Sequence, residues 1–236
     1  MPNIARIRQL FAEKMNRMAR SLLKQLALAL IAISCASYTP QPATLLRIQS
    51  AAISAQQQGF AVGVSPHLDP SRNRDIFQAD LMQTGILPLQ VVVRNSSEQI
   101  ISVRRNDFIL RLADGNEFSP TSPDIIASRL ESSAGVVGWT LAFGLVGFLG
   151  SSTQQGEADN ARRADLRNKE LQDCTLSPQE SAQGFLFFLV PGEVTQIPQA
   201  TLSAKAFLRS DASEIRLSLP LKELGTWNEP KRSRDN

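Results

Sequence analysis

Residues that usually carry catalytic chemistry are scarce in this sequence. Its 236 residues include one His, two Cys, one Tyr and two Trp. A Ser–His or Cys–His hydrolase needs a nucleophile beside a base, and a zinc site needs several His or Cys ligands at close spacing. The sequence has neither arrangement, and it has no Gly-x-Ser-x-Gly turn. We therefore expect no catalytic residues, no metal site and no cofactor; an Asp or Glu pair assembled only by folding stays open as an alternative.

The charge balance argues against a nucleic-acid partner. Residues 1–34 hold six of the 25 basic residues and one of the 22 acidic ones, so the chain from residue 35 onward carries a net charge of −2. The whole-chain pI of about 9.1 therefore reflects mainly the N-terminal segment. Because nucleic-acid surfaces are basic, we expect no nucleic-acid binding.

A short apolar run from Leu26 to Ser34 follows a basic segment and ends at Cys35. This order is typical of a secretory signal peptide, and the run is too short to span a bilayer as a helix. Ala32-Ile33-Ser34-Cys35 resembles a bacterial lipobox, in which the Cys receives lipid, palmitate included. The resemblance implies that the protein is attached to a membrane through lipidated Cys35; the alternative is a chance cysteine in an ordinary signal peptide or anchor helix.

The residues after Cys35 suggest where the protein resides. In lipoproteins of enterobacterial type an Asp after the lipidated Cys favours the inner membrane, whereas Ala36 and Ser37 stand here. The resemblance therefore implies the outer membrane of a bacterial cell envelope. Pro40 and Pro42 predict an extended tether over 35–44. Once Cys35 is acylated, Cys174 has no disulfide partner, and we expect it to be a small buried or half-buried thiol.

The exported part has the pattern of a β-sandwich. Alternating or continuous apolar stretches separated by turn residues predict antiparallel strands at roughly ten-residue spacing. The predicted elements are a hairpin over 45–65 and strands over 86–95, 100–103, 107–112, 184–190, 204–208 and 215–219. The stretch 66–75, rich in Pro, Asp, Asn and Arg, is predicted to be a loop, followed by a short helical turn over 75–83.

Four of these segments resemble a known domain group. The strand ending at Asn95, the strand over 107–112, the Asp114-Gly115 turn before Phe118, and the segment from Leu176 through Gly184 are similar to telokin-like, immunoglobulin-like domains of bacterial extracytoplasmic proteins. Gln179 stands where that group usually has Gly, which puts the form of this turn in question. The resemblance implies an immunoglobulin-like antiparallel β-sandwich and an envelope interaction module, and it lends no catalytic residue.

An insertion over 121–173 separates the matching halves. Residues 122–130 predict a capped helix, and residues 157–171 predict a polar helix that returns to the sandwich as a solvated arm. The domain plan is therefore a signal peptide over 1–34, a tether over 35–44, a sandwich over 45–225 interrupted by this helical insertion, and a flexible tail over 226–236.

Between the two predicted helices lies an apolar run, 134–150, with five glycines and no charge. It could be a helix within or against a membrane or an oligomer, an apolar hairpin folded on the sandwich, or a flexible loop. Small residues at helical spacing permit close helix approach. The expected membrane or oligomer contacts are Ala134, Gly138, Trp139, Ala142, Phe143, Val146 and Gly150.

Two functions follow from these features. The first is a lipid-anchored, non-catalytic interaction or assembly module whose envelope protein partner is unknown. The alternative is a membrane-embedded transport or remodelling component that forms a homo-oligomer through residues 134–150. The two hypotheses differ in whether residues 134–150 enter lipid.

Overall fold

Strands with alternating side chains pair into two antiparallel sheets. The computed structural model describes residues 38–131, 152–190 and 200–221. In chain order the strands are β1 (Ile53–Gln57), β2 (Phe60–Pro66), β3 (Ile86–Asn95), β4 (Ile101–Val103), β5 (Phe108–Arg111), β6 (Glu117–Phe118), β7 (Cys174–Leu176), β8 (Ser181–Leu189), β9 (Thr201–Leu208) and β10 (Glu214–Pro220). The helices are α1 (Pro70–Phe77), α2 (residues 123–131) and α3 (Ser152–Lys169). Short 3₁₀ turns lie at Ile48–Ser50, Met82–Thr84 and Arg105–Asp107.

The sheets face each other as a sandwich. The first sheet, A, has the order β1-β2-β3-β8. The second sheet, B, is built around β9, which pairs with β10 along its length. The first residues of β9 also pair with β5, and its last residues pair with β4. Strand β6 pairs with β5, and strand β7 pairs with β4. Apolar side chains from both sheets, such as Leu89 and Leu202, form one buried cluster between them. The predicted mainly β, antiparallel sandwich is therefore confirmed, and β1 and β2 form the hairpin expected within 45–65.

Sheet A is buried on its second face as well. On β8, Leu186 and Phe188 point into the sandwich, whereas Phe185 and Phe187 belong to a separate cluster on the outer side. Helices α1, α2 and α3 cover that outer side and contribute Phe77, Ile126, Leu130 and Leu166 to the cluster. The described fold thus has three layers: sheet B, sheet A and the helices.

Two predictions about the outer layer are wrong. The stretch 66–75 contains most of α1, because the Asp69 carboxylate accepts a hydrogen bond from the Ser71 amide (2.8 Å) and Pro70 occupies the first helical position. Helix α3 is not simply a solvated arm, because Leu166 is fully buried against sheet A. The backbone then continues into a parallel bridge between Glu170 and Phe185, and the Leu171 amide donates to the Phe185 carbonyl (2.9 Å).

Asn95 ties the end of β3 to β7 and to the following turn. Its side chain is fully buried, and its Nδ2 donates to the carbonyls of Leu176 (3.0 Å) and Gln99 (2.6 Å). Its Oδ1 accepts from the Ser97 amide (2.9 Å). A side chain that satisfies three backbone groups explains why this strand ends in Asn.

Candidate functional site

The site residues predicted from sequence lie outside the described residues. Cys35 precedes residue 38, and Ala134, Gly138, Trp139, Ala142, Phe143, Val146 and Gly150 fall within 132–151. The lipidation site and the proposed membrane contact therefore stay predictions.

A groove with both polar and apolar lining residues lies beside the first described residues of the chain. Residues 38–46, which we call the strap, run over the outer layer next to sheet A and α3. The space bounded by the strap and the domain has a volume of about 460 Å³. Its lining outside the strap consists of Gln90, Asp165, Asn168, Lys169, Gln183, Gly184 and Phe185.

Tyr38, the first described residue of the strap, binds to α3. Its hydroxyl donates to Asp165 Oδ2 at 2.5 Å, and the Arg162 guanidinium lies 5.3 Å from its ring centroid, a cation–π contact. Burial and the neighbouring Asp165 raise the pKa of Tyr38 well above its ordinary value. The phenol therefore remains protonated and keeps its role as donor at neutral pH.

Asp165 also forms a buried ion pair with Lys169, one helical turn further along α3. Their side chains are 7% and 6% exposed. Lys169 Nζ donates to the Ile76 carbonyl (2.7 Å) at the end of α1 and lies 5.5 Å from the Phe77 ring centroid. Because each charge is matched and hydrogen-bonded, the pair joins α3, α1 and the strap. Loss of one partner would leave an uncompensated buried charge.

Two glutamines on sheet A bind the backbone of the strap. Gln90 Nε2 donates to the Thr44 carbonyl (2.6 Å), and Gln183 Oε1 accepts from the Leu46 amide (2.7 Å). With its amide oriented this way, Gln90 Oε1 accepts from Nε2 of the buried His67 at 3.0 Å. Burial lowers the pKa of His67, so the imidazole is neutral with its proton on Nε2.

The strap is held mainly by side chains at a few points. Besides the contacts at Tyr38, Thr44 and Leu46, Gln78 exchanges two hydrogen bonds with the backbone of Thr39. Each neutral hydrogen bond contributes about 0.5–1.5 kcal/mol and ordering each residue costs about 1–2 kcal/mol. The hydrogen bonds that hold the strap are therefore opposed by an entropy cost of at least similar size.

Ion pairs also join the two helices of the insertion. Arg163 Nη2 donates to both carboxylate oxygens of Glu131 (2.8 and 2.9 Å), and Arg167 Nη2 donates to Asp124 Oδ1 (2.6 Å). Since 124 pairs with 167 and 131 with 163, α2 and α3 run antiparallel. Ser152 lies eleven residues before Arg163, which places it about 16 Å further along α3.

The titratable groups in and near the groove take part in contacts within the protein. Asp165 and Lys169 neutralise each other, and His67 is enclosed by Gln90 and Phe185. Cys174 lies in β7, where burial and the nearby carboxylates of Asp173 and Glu180 raise its pKa, so its thiol is protonated. Within residues 38–131, 152–190 and 200–221, no group of three or more His, Cys, Asp or Glu could hold a metal ion.

Sequence reasoning missed this site although two signals were present. The Asp165–Lys169 pair has the i,i+4 spacing of a helical ion pair, but it was treated as part of a solvated face. Tyr38 is the one tyrosine of the chain and stands three residues after Cys35. The contact between them depends on the third layer, which the local pattern did not predict.

Comparisons with known proteins give a limited result. No protein family and no curated protein matches the sequence. Among solved structures, the chain is similar to the ycdA protein of Bacillus subtilis, described as a candidate lipoprotein, with 15% identity, a TM-score of 0.35 and coverage of 71% of this chain and 38% of that one. The chain thus spans 38% of the length of that structure.

Two further structures have comparable similarity. The yjhA protein of Bacillus subtilis has 13% identity and a TM-score of 0.39, over 71% of this chain and 95% of that one. A candidate ApaA protein from Bordetella pertussis has 12% identity and a TM-score of 0.32, over 68% and 87%. In the part of the chain that the structure describes, no helix is both long and apolar enough to cross a membrane.

Proposed function

We propose that this chain is a lipid-anchored protein of the bacterial envelope, in which the β-sandwich with its helical layer is a non-catalytic interaction or assembly module. The observation that carries the proposal is the docking of Tyr38 onto Asp165, three residues after the lipobox cysteine. Three residues span at most about 11 Å. A lipid on Cys35 would therefore hold the folded domain directly against a bilayer.

The chemistry of the described groove supports a binding role over catalysis. Its charged groups form an internal ion pair, and its amides bind the backbone of the strap. These interactions hold the strap on the domain through its backbone. Groups that are already paired within the protein suit a module that binds partners through its surface rather than one that converts a substrate in this groove.

The outer membrane is the proposed location. Ala36 and Ser37 after Cys35 support it, since the inner-membrane retention residue Asp is absent from both positions. The immunoglobulin-like resemblance supports an extracytoplasmic module, and the antiparallel sandwich agrees with it.

A membrane-contacting role for 134–150 is the second candidate, and the arrangement of α2 and α3 favours it. Both helices belong to the layer that also receives the strap, so the described residues nearest in sequence to the apolar segment and to Cys35, namely Glu131, Ser152 and Tyr38, belong to elements on one side of sheet A. In this alternative, a homo-oligomer forms through Ala134, Gly138 and Ala142, and the protein acts in transport or membrane remodelling.

Fractionation of envelopes tests the first proposal. We expect the wild-type protein to sediment with outer membranes and to form crosslinks with one or a few envelope proteins. The Cys35→Ser variant should leave the outer-membrane fraction and lose those crosslinks. Cys174→Ser is the matched control and should behave as wild type. Equal membrane retention of the Cys35→Ser variant would refute the lipid anchor.

Gly138→Leu tests the second candidate, because the larger side chain blocks close helix approach. We expect a lower yield of crosslinked homo-oligomer and an unchanged melting temperature of the sandwich. Rapid labelling of single cysteines at 138 and 142 by a water-soluble maleimide, with no crosslinked dimer, would identify an exposed loop and exclude this role.

A further inference from the structure

We propose that the strap is a releasable connector that sets how far the β-sandwich stands from the membrane. The inference rests on the proposed lipid anchor at Cys35. In the docked state Tyr38 is fixed on α3, and in the released state residues 38–46 become part of a longer, free tether.

The two states differ strongly in reach. With Tyr38 docked, the chain between Cys35 and the domain spans at most about 11 Å. With the strap released, the next fixed element is the 3₁₀ turn that begins at Ile48. The thirteen residues from Cys35 to Ile48 can then extend over about 45 Å. Release therefore adds about 35 Å of reach, enough to move the domain away from the lipid surface toward a partner.

The contacts of the strap permit release without unfolding. Pro40 and Pro42 have no amide proton to donate to a β-ladder, and residues 39–42 are exposed. Leu45 is 76% exposed, and the apolar contact of the strap with the outer cluster is made by the partly buried methyl group of Ala43. In contrast, α3 inserts the fully buried Leu166 into the outer cluster. Among the described residues, none of the buried hydrophobic side chains of the core belongs to the strap.

The mode of attachment gives two distinct states. The strap is fastened at Tyr38, Thr39, Thr44 and Leu46, and the groove of about 460 Å³ lies between these points and the domain. Gln90 and Gln183 bind one carbonyl and one amide, so each contact is either made or replaced by water. Loss of the Tyr38 contact frees the end of the strap that leads to the lipid.

Spin-label distances in the lipidated full-length protein test the proposal. Labels at Gln41→Cys and Glu98→Cys, both exposed sites, report docking in a Cys174→Ser background reconstituted in phospholipid nanodiscs. We expect a short and a long distance population. Tyr38→Phe retains the ring but loses the hydroxyl contact, and it should raise the ratio of long to short population by roughly tenfold, as expected for a hydrogen bond to a charged group. Leu45→Ala is the matched control within the strap and should leave the ratio unchanged.

A second readout measures the distance to the bilayer. A fluorescent donor at Glu98→Cys and acceptor lipids should give lower energy transfer in Tyr38→Phe than in wild type. The proposal would be overturned if wild type, Tyr38→Phe and the double variant Tyr38→Phe with Gln183→Ala all showed a single short spin-label population. The strap would then be permanently attached to the domain. A shifted population with unchanged energy transfer would overturn its membrane part. Absence of lipid on Cys35 would instead refute the proposed function, while the spin-label distances would still decide whether the strap is released.

Discussion

Gly184→Ala should be among the most damaging small substitutions in this fold. A Cβ at position 184 would lie 2.4 Å from the backbone nitrogen of Leu171 and 2.6 Å from its Cα. Neither atom can move aside as a side chain would, because the Leu171 amide donates to the Phe185 carbonyl at 2.9 Å. The substitution therefore forces apart β8 and the segment that follows α3.

The expected loss of stability in Gly184→Ala follows from two effects. Overpacking a buried contact costs about 1–3 kcal/mol. Loss of the hydrogen bond between Leu171 and Phe185 leaves buried polar groups unpaired, which costs about 1–3 kcal/mol more. We expect the free energy of unfolding to fall by about 3–5 kcal/mol, which corresponds to a melting temperature lower by roughly 10–15 °C for a chain of this size.

Urea unfolding followed by circular dichroism measures this loss. Gly115→Ala is the matched control, because its Cβ would meet nothing within 4 Å and only the left-handed backbone (φ +87°) opposes it. That variant should lose about 1–2 kcal/mol. A loss in Gly184→Ala no larger than in Gly115→Ala would refute the close approach of the helical layer to sheet A.

Three further predictions concern single side chains. Gln179 adopts φ +66° in the turn before β8, a left-handed backbone that is strained for a residue with a Cβ. Gln179→Gly should therefore raise the free energy of unfolding by about 1 kcal/mol. An unchanged or lower value in urea unfolding would show that Gln179 is not strained. Asn95→Ala should lower the free energy of unfolding by about 2–4 kcal/mol, because the buried carbonyl of Leu176 and the partly buried carbonyl of Gln99 lose their donor; a loss below 1 kcal/mol in the same assay would contradict the role of Asn95. Burial lowers the pKa of His67, so below the ordinary value of about 6.5 the unfolded chain binds more protons than the folded one. Stability should therefore be complete above that pH and fall as the pH drops toward the folded pKa; a His67→Gln variant with the same change in urea midpoint between pH 7.5 and 5.5 as wild type would exclude His67 as the cause.

The sandwich was predictable because its signals are local. The β-branched run that ends at Asn95 is β3, and the alternation within 107–112 is β5. The Asp114-Gly115 turn precedes β6, as its residues indicate. Gln179 keeps the left-handed backbone that its position demands, so the turn forms there without Gly and with strain.

The third layer was missed because its signals are distant in sequence. Phe185 and Phe187 alternate with Leu186 and Phe188, so β8 is apolar on both faces, which is typical of a strand covered on both sides. That pattern indicates a cover for the outer face but not which segment supplies it. The polar α3 fulfils this role through Leu166. Removal of residues 121–173 would therefore expose the two phenylalanines, and we expect such a variant to aggregate.

The strap could not be predicted for a related reason. Its composition is typical of a free tether, and each contact that holds it joins residues far apart in the chain, such as Tyr38 with Asp165. Gln90 and Gln183 are ordinary polar residues of their strands until the backbone of the strap is placed beside them. The contacts that dock the strap therefore depend on the tertiary fold rather than on a sequence motif.

The proposed attachment of this domain to a membrane depends on a lipid at Cys35. Mass spectrometry of the N-terminal peptide from membrane-extracted protein detects that lipid. We expect a peptide that begins at Cys35 and carries the added mass of acyl chains, and no such peptide from the Cys35→Ser variant. An unmodified Cys35, or an N-terminus elsewhere without lipid, would refute the lipid anchor.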